Sequence, residues 1–110
     1  MENLETEQRR VRELGFQKLN ELESAGKDVS VELLLKCLSN PYQYIRIRAI
    51  ESVKDYERED FTIIYGVALN DKCDSVVAEA AAALAKINSD KALEILTNAF
   101  FEGDIEPVCN

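Results

Sequence analysis

The chain has 110 residues, and its 13 Lys and Arg against 21 Asp and Glu give a formal net charge of −8. This length fits one domain, and 46% hydrophobic with 31% charged residues is the composition of a globular protein rather than of a disordered chain. The chain contains no His, which is the commonest general base and metal ligand, so its composition argues against an enzyme, a metal centre and a bound cofactor.

The acidic groups are concentrated in the second half of the chain. Residues 57–110 carry eleven acidic and four basic groups, whereas residues 29–56 carry three acidic and four basic groups. Because an acidic surface repels phosphate groups, we expect no direct binding of nucleic acid and no adhesion to a membrane. The acidity has two interpretations, a solvated surface or a binding face for a basic partner.

The cysteines and the N-terminal sequence predict a cytoplasmic protein. The three cysteines form no Cys-x-x-Cys motif, and their odd number favours reduced thiols. The N-terminus is acidic and lacks the apolar core of a signal peptide, and no apolar run approaches the length of a membrane span. We therefore expect no zinc site, and we expect Cys37 to pack as a small hydrophobic residue.

Apolar residues recur with a period near 3.6, which predicts helices from the start of the chain. A first helix is expected over residues 3–24, with Gly26 as its left-handed closing residue. Residues 31–55 are expected to form a pair of helices, with Ser30 and Asn40 as their N-caps. The apolar stripe of the first helix consists of Leu4, Val11, Leu14, Leu19 and Leu22.

The same pattern continues through the second half of the chain. Residues 60–87 are expected to form a second pair of helices, with Asp60 and Asp71 as their N-caps. A last helix is expected over residues 90–102, followed by a tail over residues 103–110. All predicted connections are short, so neighbouring helices should lie antiparallel.

An internal repeat of 31 residues relates the two helix pairs. The offset also places Ile64 on Ile95. It places Leu14 on Ile45 as well, so the first helix corresponds to the second helix of a repeat unit. The aligned pairs are Leu38 with Leu69, Asn40 with Asp71, Ile45 with Val76, Ala49 with Ala80, and Val53 with Leu84.

These positions resemble the pattern of the short HEAT-like repeats, the type also found in phycobilin lyases. The first copy has the arginine of that pattern at Arg46, whereas the second copy has Val77 there. The resemblance implies an all-α fold, a short α–α superhelix (HEAT-like solenoid) of about six helices. These would form roughly three stacked antiparallel pairs within a single domain over residues 1–110.

The resemblance also implies a binding surface, because the second helices of HEAT-like arrays usually form the ligand-facing ridge. Of two neighbouring tyrosines at the start of the third helix, Tyr42 and Tyr44, one is expected to pack and the other to be an exposed anchor. The charged candidates are equally typical of solvated ion pairs. The alanine candidates are equally typical of residues that pack between helices. The candidate partner-binding residues are Gln43, Tyr44, Ile47, Glu51, Lys54, Ala78, Glu79, Ala82 and Lys86.

From these features we expect a non-catalytic protein-binding module, a small adaptor or regulator that uses this ridge. The alternative is an acidic inhibitor whose residues 57–106 mimic nucleic acid and block a basic groove, as in phage or mobile-element counter-defence. A third hypothesis, a lyase-like or chaperone subunit, rests on the resemblance alone. The expected partner is another protein, basic in the second hypothesis. The open ends of a helical array also predict a homodimer.

Overall fold

The computed structural model of the chain describes residues 4–102, which contain six α-helices and no β-strand. The predicted all-α fold is therefore confirmed, while the predicted tail over residues 103–110 lies outside the described range. Short 3-10 segments lie at Gly26–Asp28, Lys54–Tyr56 and Glu59–Phe61, and a π-helical segment lies at Asn98–Glu102. The helices are α1 (Leu4–Ala25), α2 (Val31–Leu38), α3 (Gln43–Val53), α4 (Thr62–Ala68), α5 (Asp74–Ile87) and α6 (Asp90–Thr97).

Local polar contacts start and end several of these helices. The hydroxyl of Ser30 accepts a hydrogen bond from the Leu33 N–H at 3.1 Å, as its predicted role of N-cap requires. Ser89 does the same for α6, because its hydroxyl accepts from the Ala92 N–H at 3.1 Å. Gly26 has a φ of +68°, so the predicted left-handed residue after α1 is present.

Three predicted N-caps have a different role in the structure. Asn40 Oδ1 accepts from the Tyr42 N–H at 2.9 Å, and Asp71 Oδ1 accepts from the Cys73 N–H at 2.8 Å. Both side chains thus close an Asx turn just before α3 and α5, since they bond to the N–H two residues on. Asp60 instead accepts hydrogen bonds from the Arg58 guanidinium, at 2.7 Å from Nη2, and α4 begins at Thr62.

The helices fall into two compact units, and the first contains α1, α2 and α3. Gly15 of α1 makes a close approach possible, because a Cβ at this position would lie 2.4 Å from Asn40 Nδ2 and 3.2 Å from Ile45 Cγ1. Arg46 is buried, and its guanidinium donates to the Asn40 carbonyl oxygen at 2.8 Å. The buried apolar side chains of this unit include Leu19, Leu22, Val29, Leu34, Cys37, Ile45, Ala49, Ile50 and Val53.

The second compact unit contains α4, α5 and α6. The rings of Phe61 and Tyr65 meet edge-on with centroids 6.1 Å apart. The Tyr65 hydroxyl is buried with no hydrogen-bond partner among the described residues, and this burial raises the pKa of Tyr65. The helix α5 ends at Ile87, and its C-cap Asn88 adopts a left-handed φ of 55°. The core includes Phe61, Ile64, Tyr65, Val76, Ala80, Ala83, Leu84 and Ala92.

Candidate functional site

The candidate residues of α3 occupy its outer surface in the first unit. Gln43, Ile47 and Glu51 are spaced four residues apart and so share one face of the helix. Gln43 and Glu51 are exposed and Ile47 is half-buried. Tyr44 is 49% exposed, whereas Tyr42 is half-buried and donates through its hydroxyl to the Gln8 carbonyl oxygen at 3.2 Å. Tyr44 is therefore the exposed member of the tyrosine pair.

Tyr44 belongs to a small group of ordered surface side chains, which we call the aromatic cluster: Phe16, Tyr44 and Arg48. The Phe16 and Tyr44 ring centroids lie 5.8 Å apart, and Phe16 is 39% exposed. The Arg48 guanidinium lies 5.7 Å from the Tyr44 ring centroid and donates to the Tyr44 hydroxyl at 2.7 Å. Sequence reasoning missed Phe16 and Arg48, because the contact joins α1 to α3 and neither helix predicts it alone.

Carboxylates hold the arginine of the aromatic cluster in place. Arg48 Nη2 lies 3.1 Å from Glu23 Oε2, and Arg48 Nε lies 3.8 Å from Glu51 Oε1. The hydrogen bond and the electrostatic interaction with Tyr44, and to a smaller extent those with Glu23, raise the pKa of Arg48. The candidate Glu51 is thus part of a network that orders a cation beside an exposed aromatic ring.

In the second unit the charged candidates form ion pairs. Lys54 Nζ lies 2.8 Å from Glu79 Oε1, which brings two of the candidates together. Both side chains are about three-quarters buried, so this pair also holds the 3-10 segment Lys54–Tyr56 against α5. Lys86 Nζ lies 3.3 Å from Asp55 Oδ1. The charged candidates Lys54, Glu79 and Lys86 thus each have an ion-pair partner within the second unit.

The alanine candidates of α5 differ in exposure. Ala78 is exposed, whereas Ala82 is half-buried and Ala80 is fully buried. A stripe of small residues is therefore accessible only in part, and Ala78 is its most accessible predicted member.

Part of the predicted apolar stripe of α1 is open to solvent in the structure. Leu19 and Leu22 of the predicted α1 stripe are buried, but Val11 is 38% and Leu14 is 53% exposed. They line a cavity of about 530 Å³, which we call the α1–α2 groove. A second depression of about 310 Å³ adjoins it at Pro41. The groove is lined by Val11, Leu14, Gly15, Lys18, Leu35, Lys36, Ser39, Asn40 and Pro41.

Among the described residues, no group of three or more His, Cys, Asp and Glu side chains could hold a metal ion. Over the same part of the chain, none of the helices has both the length and the apolar character needed to cross a bilayer.

Comparisons with known proteins support the predicted repeat. The model of the family described as HEAT repeats matches residues 31–107, which is more than half of the chain. Comparisons with curated proteins and with solved structures give no match. The matched range begins at α2 and includes both copies of the 31-residue repeat.

Proposed function

Because this chain belongs to the HEAT repeat family, we propose that it is a non-catalytic protein-binding module, a small adaptor or regulator. HEAT repeats generally mediate protein–protein interaction, and the family is typically non-catalytic. The partner in this proposal is another cytoplasmic protein, and the binding surface is the outer face of α3 with the candidates Gln43, Tyr44, Ile47 and Glu51.

The observation that carries this proposal is the aromatic cluster. Tyr and Arg are enriched among the residues that dominate the binding energy of interfaces. Here Tyr44 is exposed and Arg48 is half-buried, and both are already ordered, because Tyr44 contacts Phe16 and Arg48 contacts Glu23. Ordering a long side chain on binding costs about 0.5–1.5 kcal/mol of conformational entropy. Because these side chains are ordered before binding, association loses less of this entropy.

The test compares partner capture by the wild type and by a Tyr44→Ala variant from extracts of the source cells. We expect Tyr44→Ala to weaken binding of the captured partner by about 10- to 30-fold, which corresponds to about 1.4–2 kcal/mol. Ile63→Ala is a matched control, since Ile63 is a comparably exposed apolar residue on α4. Equal recovery of the partner by Tyr44→Ala and by the wild type, with both variants folded by circular dichroism, would contradict the proposal.

A second candidate function follows from the charge distribution. Residues 57–110 have a net charge of −7, from eleven acidic and four basic groups. In this alternative, the acidic surface of α5 and α6 mimics nucleic acid and occupies a basic groove, as an inhibitor would. The exposed acidic residues Asp74, Asp90 and Glu94 support it. The phycobilin-lyase type of repeat and a lyase-like or chaperone role stay predictions that rest on the sequence resemblance.

A further inference from the structure

The repeat allows each position of α1 to be compared with its equivalents in α3 and α5. Leu14 corresponds to Ile45 and Val76 at offsets of 31 and 62 residues. Ile45 and Val76 are fully buried, whereas Leu14 is 53% exposed. In the first unit α2 lies against α3, and in the second unit α4 lies against α5. The α1–α2 groove therefore contains, open to solvent, the kind of surface that the first helix of a repeat covers.

The helix α6 also has apolar side chains that are open to solvent. It corresponds to α2 and α4, and Leu96 aligns with Leu34 and Tyr65. Leu34 and Tyr65 are buried, but Leu96 is only half-buried. With Leu93 (43% exposed) and Phe100 (38% exposed) it forms an apolar strip along α6 and the π-helical segment that follows it. The equivalent positions in α2 and α4 are all buried or half-buried.

We propose that α6 of one copy of this chain lies in the α1–α2 groove of a second copy. The strip of Leu93, Leu96 and Phe100 then covers Val11 and Leu14, as α2 covers α3 and α4 covers α5 within their own units. The occupant is thus a helix equivalent in the repeat to α2 and α4, which lie against the corresponding helices α3 and α5. The inference does not depend on the proposed function, because the aromatic cluster takes no part in this contact.

The charges around the two surfaces are complementary. Lys18 and Lys36 are the charged residues that line the groove, whereas Asp90 and Glu94 flank the strip on α6. Lys18 lies 3.6 Å from Glu21, and Glu94 lies 3.7 Å from Lys91. Such exposed pairs stabilise a chain only weakly, so exchanging them for pairs between chains costs little. Attraction between lysines and carboxylates orients α6 in the groove.

This contact joins two different surfaces, so it is heterologous. A pair of chains joined in this way retains one open groove and one open α6, and it can add further copies or close into a ring. An isologous dimer, in which the two grooves face each other, has no such free ends. The two arrangements therefore differ in how singly blocked variants behave.

The test uses Leu14→Glu, which blocks the groove, and Leu93→Lys, which blocks α6. We expect the mass of the wild type in light scattering to rise with concentration between about 1 µM and about 1 mM, the range of weak association. Each variant alone should stay monomeric over this range. An equimolar mixture should form a complex of two chains and nothing larger, because Leu14→Glu retains its α6 and Leu93→Lys retains its groove.

Ile63→Glu is the matched control, since it also places a charge at an exposed apolar site, and it should associate like the wild type. Circular dichroism and thermal melting of all variants check that they are folded. A wild type that is monomeric over the whole range overturns the proposal, as does a mixture that stays monomeric. Association of Leu93→Lys alone would show groove-to-groove contact. If a chain truncated after residue 102 associates where the full chain does not, residues 103–110 occupy the groove. Either result also overturns it.

Discussion

At the scale of single residues, Cys37 shows how burial changes the chemistry of a side chain. The thiol is fully buried among apolar residues of the first unit. Desolvation of the thiolate, followed by the charge of Glu21, raises the pKa of Cys37 from its usual value near 9 to about 11. The thiolate is the reactive form of cysteine. Cys37 therefore stays a protonated, unreactive thiol at neutral pH and packs as a small hydrophobic residue.

This shift predicts a dependence of stability on alkaline pH. The unfolded state loses the Cys37 proton near pH 9, whereas the folded state retains it until about pH 11. The unfolding free energy should thus be unaffected by this group below pH 9 and should fall as the pH rises from 9 to 11. Urea unfolding at pH 8 and pH 10 measures the effect. Cys37→Ala should have a lower unfolding free energy than the wild type at both pH values, but this energy should fall less between pH 8 and pH 10. An equal loss in the variant would show that other groups cause it.

At the scale of helices, α1 comes close to Asn40 and Ile45 around Gly15. Asn40 Nδ2 donates to the Val11 carbonyl oxygen of α1 at 3.3 Å, while Asn40 Oδ1 accepts from the Tyr42 N–H. A single side chain thus joins α1 to the turn before α3. Because a Cβ on Gly15 would lie 2.4 Å from that amide nitrogen, glycine is required for the contact.

We expect Gly15→Ala to lower the unfolding free energy by about 1–2 kcal/mol. Alanine stabilises a helix interior by about 1 kcal/mol relative to glycine, but the added methyl displaces Asn40 and breaks hydrogen bonds worth about 1 kcal/mol each. The shifted contact with Ile45 adds to this loss. Urea denaturation gives the value.

Gly66→Ala is a suitable comparison for this prediction. A Cβ at position 66 would lie 3.2 Å from Ile95 Cγ2, which is farther than the 2.4 Å to Asn40 Nδ2 at position 15, so the cost should be smaller there. The explanation fails if Gly15→Ala is as stable as the wild type, or if both alanine variants lose the same stability.

At the scale of the whole molecule, the charge distribution separates the two candidate functions. In the second unit Lys54, Arg58, Lys86 and Lys91 lie within 4 Å of carboxylates of the same unit. Because these cations are already neutralised locally, the acidic excess of residues 57–110 falls on the remaining exposed carboxylates. A nucleic-acid mimic would bind through this excess, whereas an adaptor that uses the aromatic cluster would not.

We expect the affinity for the captured partner to change little between about 0.05 M and about 0.5 M salt, because contacts of the aromatic cluster are weakly screened. A Glu59→Lys/Asp90→Lys variant should likewise bind almost as the wild type does. Glu5→Lys/Glu32→Lys is the control, since it makes the same change of charge at exposed sites of the first unit. A steep loss of affinity with salt, together with loss in the first variant only, would favour the inhibitor.

The sequence by itself determined the helical character of the chain, the N-cap at Ser30 and the 31-residue repeat. The helices and this cap depend on residues close in the chain, such as Ser30 with Leu33, so periodicity and capping are enough to predict them. Three predicted N-caps have other roles in the structure, namely Asn40, Asp60 and Asp71. The HEAT repeat match over residues 31–107 agrees with this repeat. The sequence also placed Tyr44 among the candidate binding residues, and Tyr44 is exposed.

Only the tertiary structure decided which apolar residues are covered. Leu14 and Ile45 occupy equivalent positions of the repeat, yet one is exposed and the other is buried. Phe16 joins Tyr44 although 28 positions separate them in the chain. Burial depends on which element lies opposite a side chain in space, and helical periodicity gives only the face on which the side chain lies. The α1–α2 groove and the aromatic cluster therefore follow from packing between helices.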